Sequence, residues 1–89
     1  MQTLVINDFG TYLGKRSERA VVKRADGTEE EFPLFRLSEI IVAKRGVSLS
    51  ADLISEAVQR GIQIHFLDFR GEPFAALCSP FLTTVGFNL

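Results

Sequence analysis

The chain has no tryptophan and only one tyrosine, one histidine, one cysteine and one methionine among its 89 residues. A lone cysteine, Cys78, has no partner for an internal disulfide, so the fold must be held by burial and backbone pairing, and a reduced cytosolic thiol is the plain reading. A basic excess is also missing: 10 lysines and arginines face 11 aspartates and glutamates, for a net charge of −1. A free-standing nucleic-acid binder usually carries a basic surplus, so the balance argues against a domain that grips DNA alone. No segment approaches the roughly 20 apolar residues of a membrane span. The N-terminus lacks the basic stretch and apolar core of a signal peptide. A cytoplasmic protein with no membrane partner is the expectation. The glycines are spaced as turns and none forms a phosphate-cradling loop before a helix. The serines have neither a nucleophile-elbow setting nor a convincing histidine partner.

What is present describes one small domain. A chain of this length buries only about 60–65% of its unfolded surface. Hydrophobic content of 46% with 24% charged residues is ordinary for a globular protein. The most structured stretch is residues 53–77. Ser50 is placed to cap a helix, because its hydroxyl accepts a bond from an unpaired N–H of the first turn, and Asp52 sits where the helix dipole is positive. Leu53, Ile54, Ala57 and Val58 share one helical face, with Ser55, Glu56, Gln59 and Arg60 on the other. Gly61 is suited to end the helix in the left-handed conformation. The period then changes: Ile62, Ile64 and Phe66 alternate with Gln63 and His65, as in a strand with one buried face. Residues 68–71 supply a turn, and residues 74–77 return alongside.

Earlier in the chain, residues 3–6 read as a first strand, Asn7-Asp8-Phe9-Gly10 as a turn, and Tyr12-Leu13 as the start of a second strand. Residues 18–24 and 28–32 form a hairpin around Asp26-Gly27, since both positions tolerate the positive φ of a tight turn. Arg19, Val21 and Lys23 share one face of it, and Ala20, Val22 and Arg24 the other. Neither face is cleanly apolar, so the hairpin is expected at the periphery or partly at an interface, with Glu29, Glu30 and Glu31 paired across the turn to Lys23 and Arg24. Pro33 is expected to break the ladder. One helical turn over residues 34–37, a strand over residues 39–43, and a turn at Lys44-Arg45-Gly46 into residues 47–49 complete the reading. The fold class is mainly β (α+β): about seven or eight short strands in two packed sheets or a distorted sandwich, with one helix near residues 50–60. Residues 1–77 form the β-domain. Residues 78–89 carry no charge and read as an apolar linker or tail.

A helix ending in Arg60-Gly61, then Ile62-x-Ile64-x-Phe66-Leu67-Asp68-x-Arg70-Gly71, resembles the N-terminal β-domain of the CRISPR-associated endonuclease/integrase of spacer acquisition. Leu4 to Ile6 with Gly10, Tyr12 and Leu13 is similar to the family's opening strands, and RAVVK from Arg19 with Phe32-Pro33-Leu34 to its next hairpin. LSEIIV from Leu37 and Val47-Ser48-Leu49-Ser50 are similar to the connection into the helix, so the likeness runs over about residues 1–82. The resemblance implies a homodimer formed through the β-domain and a second CRISPR adaptation protein as partner. It implies DNA contacts made mainly by a C-terminal helical domain, whose glutamate, histidine and aspartate ligands hold magnesium or manganese. None of those ligands maps onto this chain, which is therefore expected to bind no cofactor and to be inactive alone. The apolar tail is expected to lead toward that helical domain. The resemblance also gives a role to Phe9, in the turn where the family presents an aromatic suited to stack on a DNA end. The ordinary alternative is a core phenylalanine.

Two other function classes stand beside this one. A stand-alone nucleic-acid-binding module would use Lys15, Arg16, Arg19, Lys23 and Arg24 with neighbouring aromatics. A small hydrolase would use His65, but His65 and Asp68, three apart on a strand, point to opposite faces and have no third group nearby. Among the residues themselves, catalytic and metal-ligating sets are absent, and Phe9 is the one candidate site residue.

Overall fold

The computed structural model describes residues 1–79. Eight strands and one helix follow in order: β1 (Gln2–Ile6), β2 (Tyr12–Arg16), β3 (Arg19–Lys23), β4 (Glu29–Pro33), β5 (Leu37–Val42), β6 (Ser48–Leu49), α1 (Ala51–Gln59), β7 (Gln63–Leu67) and β8 (Pro73–Leu77). A single 3₁₀ turn, Leu34–Arg36, joins β4 to β5. The strands form two four-stranded sheets, one ordered β1-β5-β7-β8 and the other β4-β3-β2-β6. The mainly-β class, the two sheets and the single helix agree with the sequence reading. The apolar tail lies outside the described residues except for Cys78 and Ser79.

In the first sheet β1, β5 and β7 run parallel, and β8 closes it antiparallel to β7. Leu4 and Ile6 of β1, Ile40 and Val42 of β5, and Ile64 of β7 are buried on its inner face. Leu37 also points inward, although an unbroken alternation would send it and Ile40 to opposite faces. A β-bulge resolves this: Gln2 pairs with Leu37 but Thr3 with Glu39, so Ser38 is the extra residue, and its hydroxyl donates to the Gln2 carbonyl at 3.1 Å. In the second sheet Leu13, Ala20 and Val22 face the same core, and Leu53 and Ala57 of α1 join it. The core is aliphatic throughout, with Phe32 and Phe66 packed at its margin.

The helix ends behave as the sequence indicates. The Ser50 hydroxyl accepts the Leu53 N–H at 3.1 Å. At the other end Gly61 has φ of +77°, its N–H reaches the Val58 carbonyl at 3.1 Å, and the Ile62 N–H reaches the Ala57 carbonyl at 2.8 Å. This pair of bonds is a Schellman motif, which satisfies two terminal carbonyls and turns the chain directly into β7.

Two expectations about the hairpin are corrected. Rather than lying at the periphery, β3 is an inner strand of its sheet, and Ala20, Val21 and Val22 are all buried. Ala20 and Val22 meet the core. Val21 faces outward, opposite Gly14 of β2, where a Cβ would collide with the Tyr12 ring at 2.7 Å. The ring therefore folds over the space that glycine leaves, beside Val21. Pro33 does not break the ladder either. It is the last residue of β4, paired with Arg19, and β4 is an edge strand on which the missing N–H costs no interior bond.

Ile40→Ala, at a side chain with no exposed surface, is expected to lower unfolding free energy by about 2–5 kcal/mol in urea titrations.

Candidate interaction surfaces

The outer face of the second sheet is a charge ladder. Register places Tyr12, Gly14 and Arg16 of β2 beside Arg19, Val21 and Lys23 of β3, and these beside Glu29 and Glu31 of β4. Arg16 reaches Glu31 at 2.6 Å and Glu29 at 3.4 Å, Arg19 reaches Glu31 at 3.5 Å, and Lys23 reaches Glu29 at 3.6 Å. Arg24 pairs with Glu30 and, at 3.2 Å, with Asp8. The cross-strand pairing expected for Lys23 and Arg24 is thus present. Of the five cations that a nucleic-acid-binding module would use, four are held against carboxylates, and the three on this face, Arg16, Arg19 and Lys23, leave it little net positive field.

His65 lies half-buried on the outer face of the first sheet. Its Nε2 is 3.2 Å from Gln63 Oε1 and 3.6 Å from Glu39 Oε2. Asp68 is occupied elsewhere: its carboxylate accepts the backbone N–H groups of Arg70 at 2.8 Å and Glu72 at 3.0 Å, closing the β7–β8 turn. The bond from Glu72, followed by that from Arg70, holds the Asp68 carboxyl below the usual carboxylate range. The structure does not bring His65 and Asp68 together. Among the described residues, no three histidine, cysteine, aspartate or glutamate side chains converge to hold a metal ion. These residues do not fit a divalent-cation centre.

Phe9 is 64% exposed, which overturns the core alternative. Its position follows from the turn at residues 44–46. Gly46 has φ of +79°, and a Cβ there would stand 2.5 Å from the Phe9 ring, so the ring occupies space that only a glycine leaves free, with most of its surface still exposed. Behind the turn, Thr11 is buried and its hydroxyl donates to the Asp8 carbonyl at 2.8 Å, fixing the loop that carries Phe9. Phe69 and Phe74 are also exposed, at 95% and 69%. The sequence reading passed over both. Phe69 occupies a turn position whose neighbours are polar, which is the signal that an aromatic there has no core to enter.

The architecture defines a small two-sheet α+β domain. The chain belongs to the CRISPR associated protein Cas1 family, whose model matches residues 4–88. It is 49% identical over 71 residues to CRISPR-associated endonuclease Cas1 1 of Francisella tularensis subsp. novicida (strain U112), a match covering 80% of this chain and 22% of that protein. In structure it is similar to a CAS1 protein from Thermotoga maritima, with a TM-score of 0.75, 18% identity, and coverage of 88% of this chain and 24% of the other. It is likewise similar to a chain of a partial Cas6-RT-Cas1–Cas2 complex, with a TM-score of 0.78, 17% identity, and coverage of 88% and 23%. The chain therefore spans about a quarter of the length of the proteins it matches. No helix among the described residues is long and apolar enough to cross a membrane.

Because the native state holds the Asp68 carboxylate below its unfolded pKa, its contribution to stability is present above the unfolded value near 4 and is lost as pH falls through the folded pKa. Asp68→Asn, which cannot ionise, is expected to flatten the acid limb of a stability-versus-pH curve below the unfolded carboxylate value; an unchanged limb would contradict this.

Proposed function

We propose that this chain is the dimerisation and positioning domain of a CRISPR-associated, metal-dependent DNA endonuclease/integrase that inserts spacers into the CRISPR array. The observation that carries the reading is a family match over residues 4–88 on a described surface that displays open aromatics and an uncharged, exposed edge strand but no converging metal-ligand set. Magnesium or manganese chemistry then belongs to the part of the protein that corresponds to the remaining length of the relatives. The whole protein acts in the cytoplasm.

The two sheets differ in how their edges are guarded. β4 carries three glutamates, which discourage pairing with another strand; β4 and β8 each also have one terminal proline, Pro33 and Pro73. β8, at the edge of the first sheet, is Pro73–Leu77, has no charge and leaves four of its five residues exposed. An uncharged open edge favours coverage by a partner, and a two-fold pair is the commonest closed arrangement. The second CRISPR adaptation protein is a partner of the complete assembly; the Cas1–Cas2 complex among the structural neighbours supports that part of the reading. Phe9, largely exposed and set in the space that Gly46 leaves, serves to stack on the end of a DNA duplex. Such stacking contributes about 1–3 kcal/mol per base without reading sequence.

Sedimentation velocity of the chain is expected to show a dimer that forms between low and high micromolar concentration. A single monomeric boundary at the highest concentration would remove the association reading. Phe9→Ala is expected to leave both the dimer and the melting temperature unchanged, whereas a core phenylalanine would cost about 3–5 kcal/mol.

A further inference from the structure

The parallel strands β1, β5 and β7 end at one edge of their sheet and lead into Asn7, Ala43 and Asp68. These three residues border one cleft of about 730 Å³. That volume is within the roughly 300–1,000 Å³ of sites that enclose a small ligand, and the carboxyl ends of parallel strands are where such sites form in open sheets. Val42, Val47, Phe66 and Phe74 give it apolar walls. The Phe66 and Phe74 rings stand with centroids 6.3 Å apart at 47°, and Phe69, almost wholly exposed, is on the rim. The bulge at Phe74 puts that ring here: Phe66 pairs with Ala75 but Leu67 with Pro73, which leaves Phe74 as the unpaired extra residue.

Lys44 and Arg45 line the same cleft. Among the described residues, Arg16, Arg19, Lys23, Arg24, Arg60 and Arg70 are all ion-paired, whereas Lys44 and Arg45 have no carboxylate within 4.0 Å. Lys15 and Arg36 are also unpaired, but neither borders this cleft. The cleft's own carboxylate, Asp68, accepts two backbone N–H groups and lies 3.5 Å from the Arg70 guanidinium. The free charge at this edge is therefore positive, on a chain whose net charge is −1. Phe9, packed on Gly46 next to Arg45, adds an open ring beside the rim.

Open aromatic faces with two free cations, and few convergent polar groups to read base edges, match the chemistry of a single-stranded nucleic acid bound without sequence preference. The geometry points to this cleft as a site for an unpaired nucleotide strand, its bases against Phe66, Phe69 and Phe74 and its phosphates at Lys44 and Arg45. The inference rests on the DNA-positioning reading and extends it. A duplex end stacked on Phe9 would have its frayed strand beside Arg45, at the mouth of the cleft.

The test uses the complete chain and a labelled oligothymidine of about ten nucleotides, followed by fluorescence polarisation across a salt series. The expected result is binding at low salt. The Lys44→Ala/Arg45→Ala double variant should weaken it about tenfold and reduce the slope of log K against log salt by about 1.4, the value for two phosphate contacts on a single strand. Phe69→Ala/Phe74→Ala should weaken it at least about fivefold with the slope unchanged, since stacking carries no counterion release. All four side chains are exposed, so melting temperatures should match the wild type. Absence of binding at low salt would overturn the proposal, as would wild-type affinity in both variants. Displacement by a polyglutamate peptide as effective as unlabelled oligothymidine would also overturn it, because the cleft would then favour an acidic polypeptide. A chain that dimerises without binding oligothymidine removes this site alone. A monomeric chain that binds it with these variant effects keeps the site and removes the association reading.

Discussion

Everything in this molecule depends on one aliphatic layer shared by the two sheets. The chain crosses between them repeatedly: β1 in one, β2 to β4 in the other, β5 back, β6 away, and β7 and β8 to finish. Each long strand apart from the edge strands β4 and β8 delivers at least one fully inward aliphatic residue, and α1 adds Leu53 and Ala57. Neither sheet has a second apolar layer to fall back on, because a domain of this size buries too little surface to support two cores. Burial at this layer therefore fixes the bulge at Ser38 and the abrupt helix end at Gly61. Both are local adjustments that keep a side chain pointed inward.

The same economy decides what is left for the surface. The ion pairs between β2, β3 and β4 involve side chains about 30–60% exposed, and pairs of this kind contribute about 0–1 kcal/mol each. A core truncation costs several times more, so the ladder does little to hold the fold. Its larger effect is on recognition: it neutralises three cations, Arg16, Arg19 and Lys23, that would otherwise draw anions to the second sheet. Two unpaired cations, Lys44 and Arg45, and the exposed rings of Phe69 and Phe74 lie where the parallel strands end. Phe9 stands beside that group because the missing side chain at Gly46 leaves room for its ring. The proposed positioning role would draw on this division between a flank of paired charges and an open, cationic, aromatic edge.

Local features were legible from the sequence because their causes are local. The Ser50 cap, the Gly61 stop, the helical face and the alternation of Ile62, Ile64 and Phe66 each depend on neighbours within a few positions, and all appear where expected. The parallel pairing of β1 with β5 and of β5 with β7 joins residues more than 20 apart, and no turn signature announces it. The burial of β3 was hidden for a related reason. Alternation made Val21 look exposed, whereas its cover comes from Tyr12 lying over Gly14 on the neighbouring strand. Phe9 was ambiguous because an aromatic beside glycine is compatible with burial or with display, and only the position of Gly46, far along the chain, settles which. The cleft at Lys44 and Arg45 assembles three separate loops, so no single stretch of sequence contained it.

If one layer sustains both sheets, they must open together. Native-state hydrogen exchange measures this directly through the amides of β3, in the interior of one sheet, and of β5, in the interior of the other. The account predicts that both sets exchange by the same global opening, with free energies equal within about 1 kcal/mol and falling with the same dependence on denaturant. Exchange from one sheet at a markedly lower free energy, while the other stays protected, would show two separable units and contradict it.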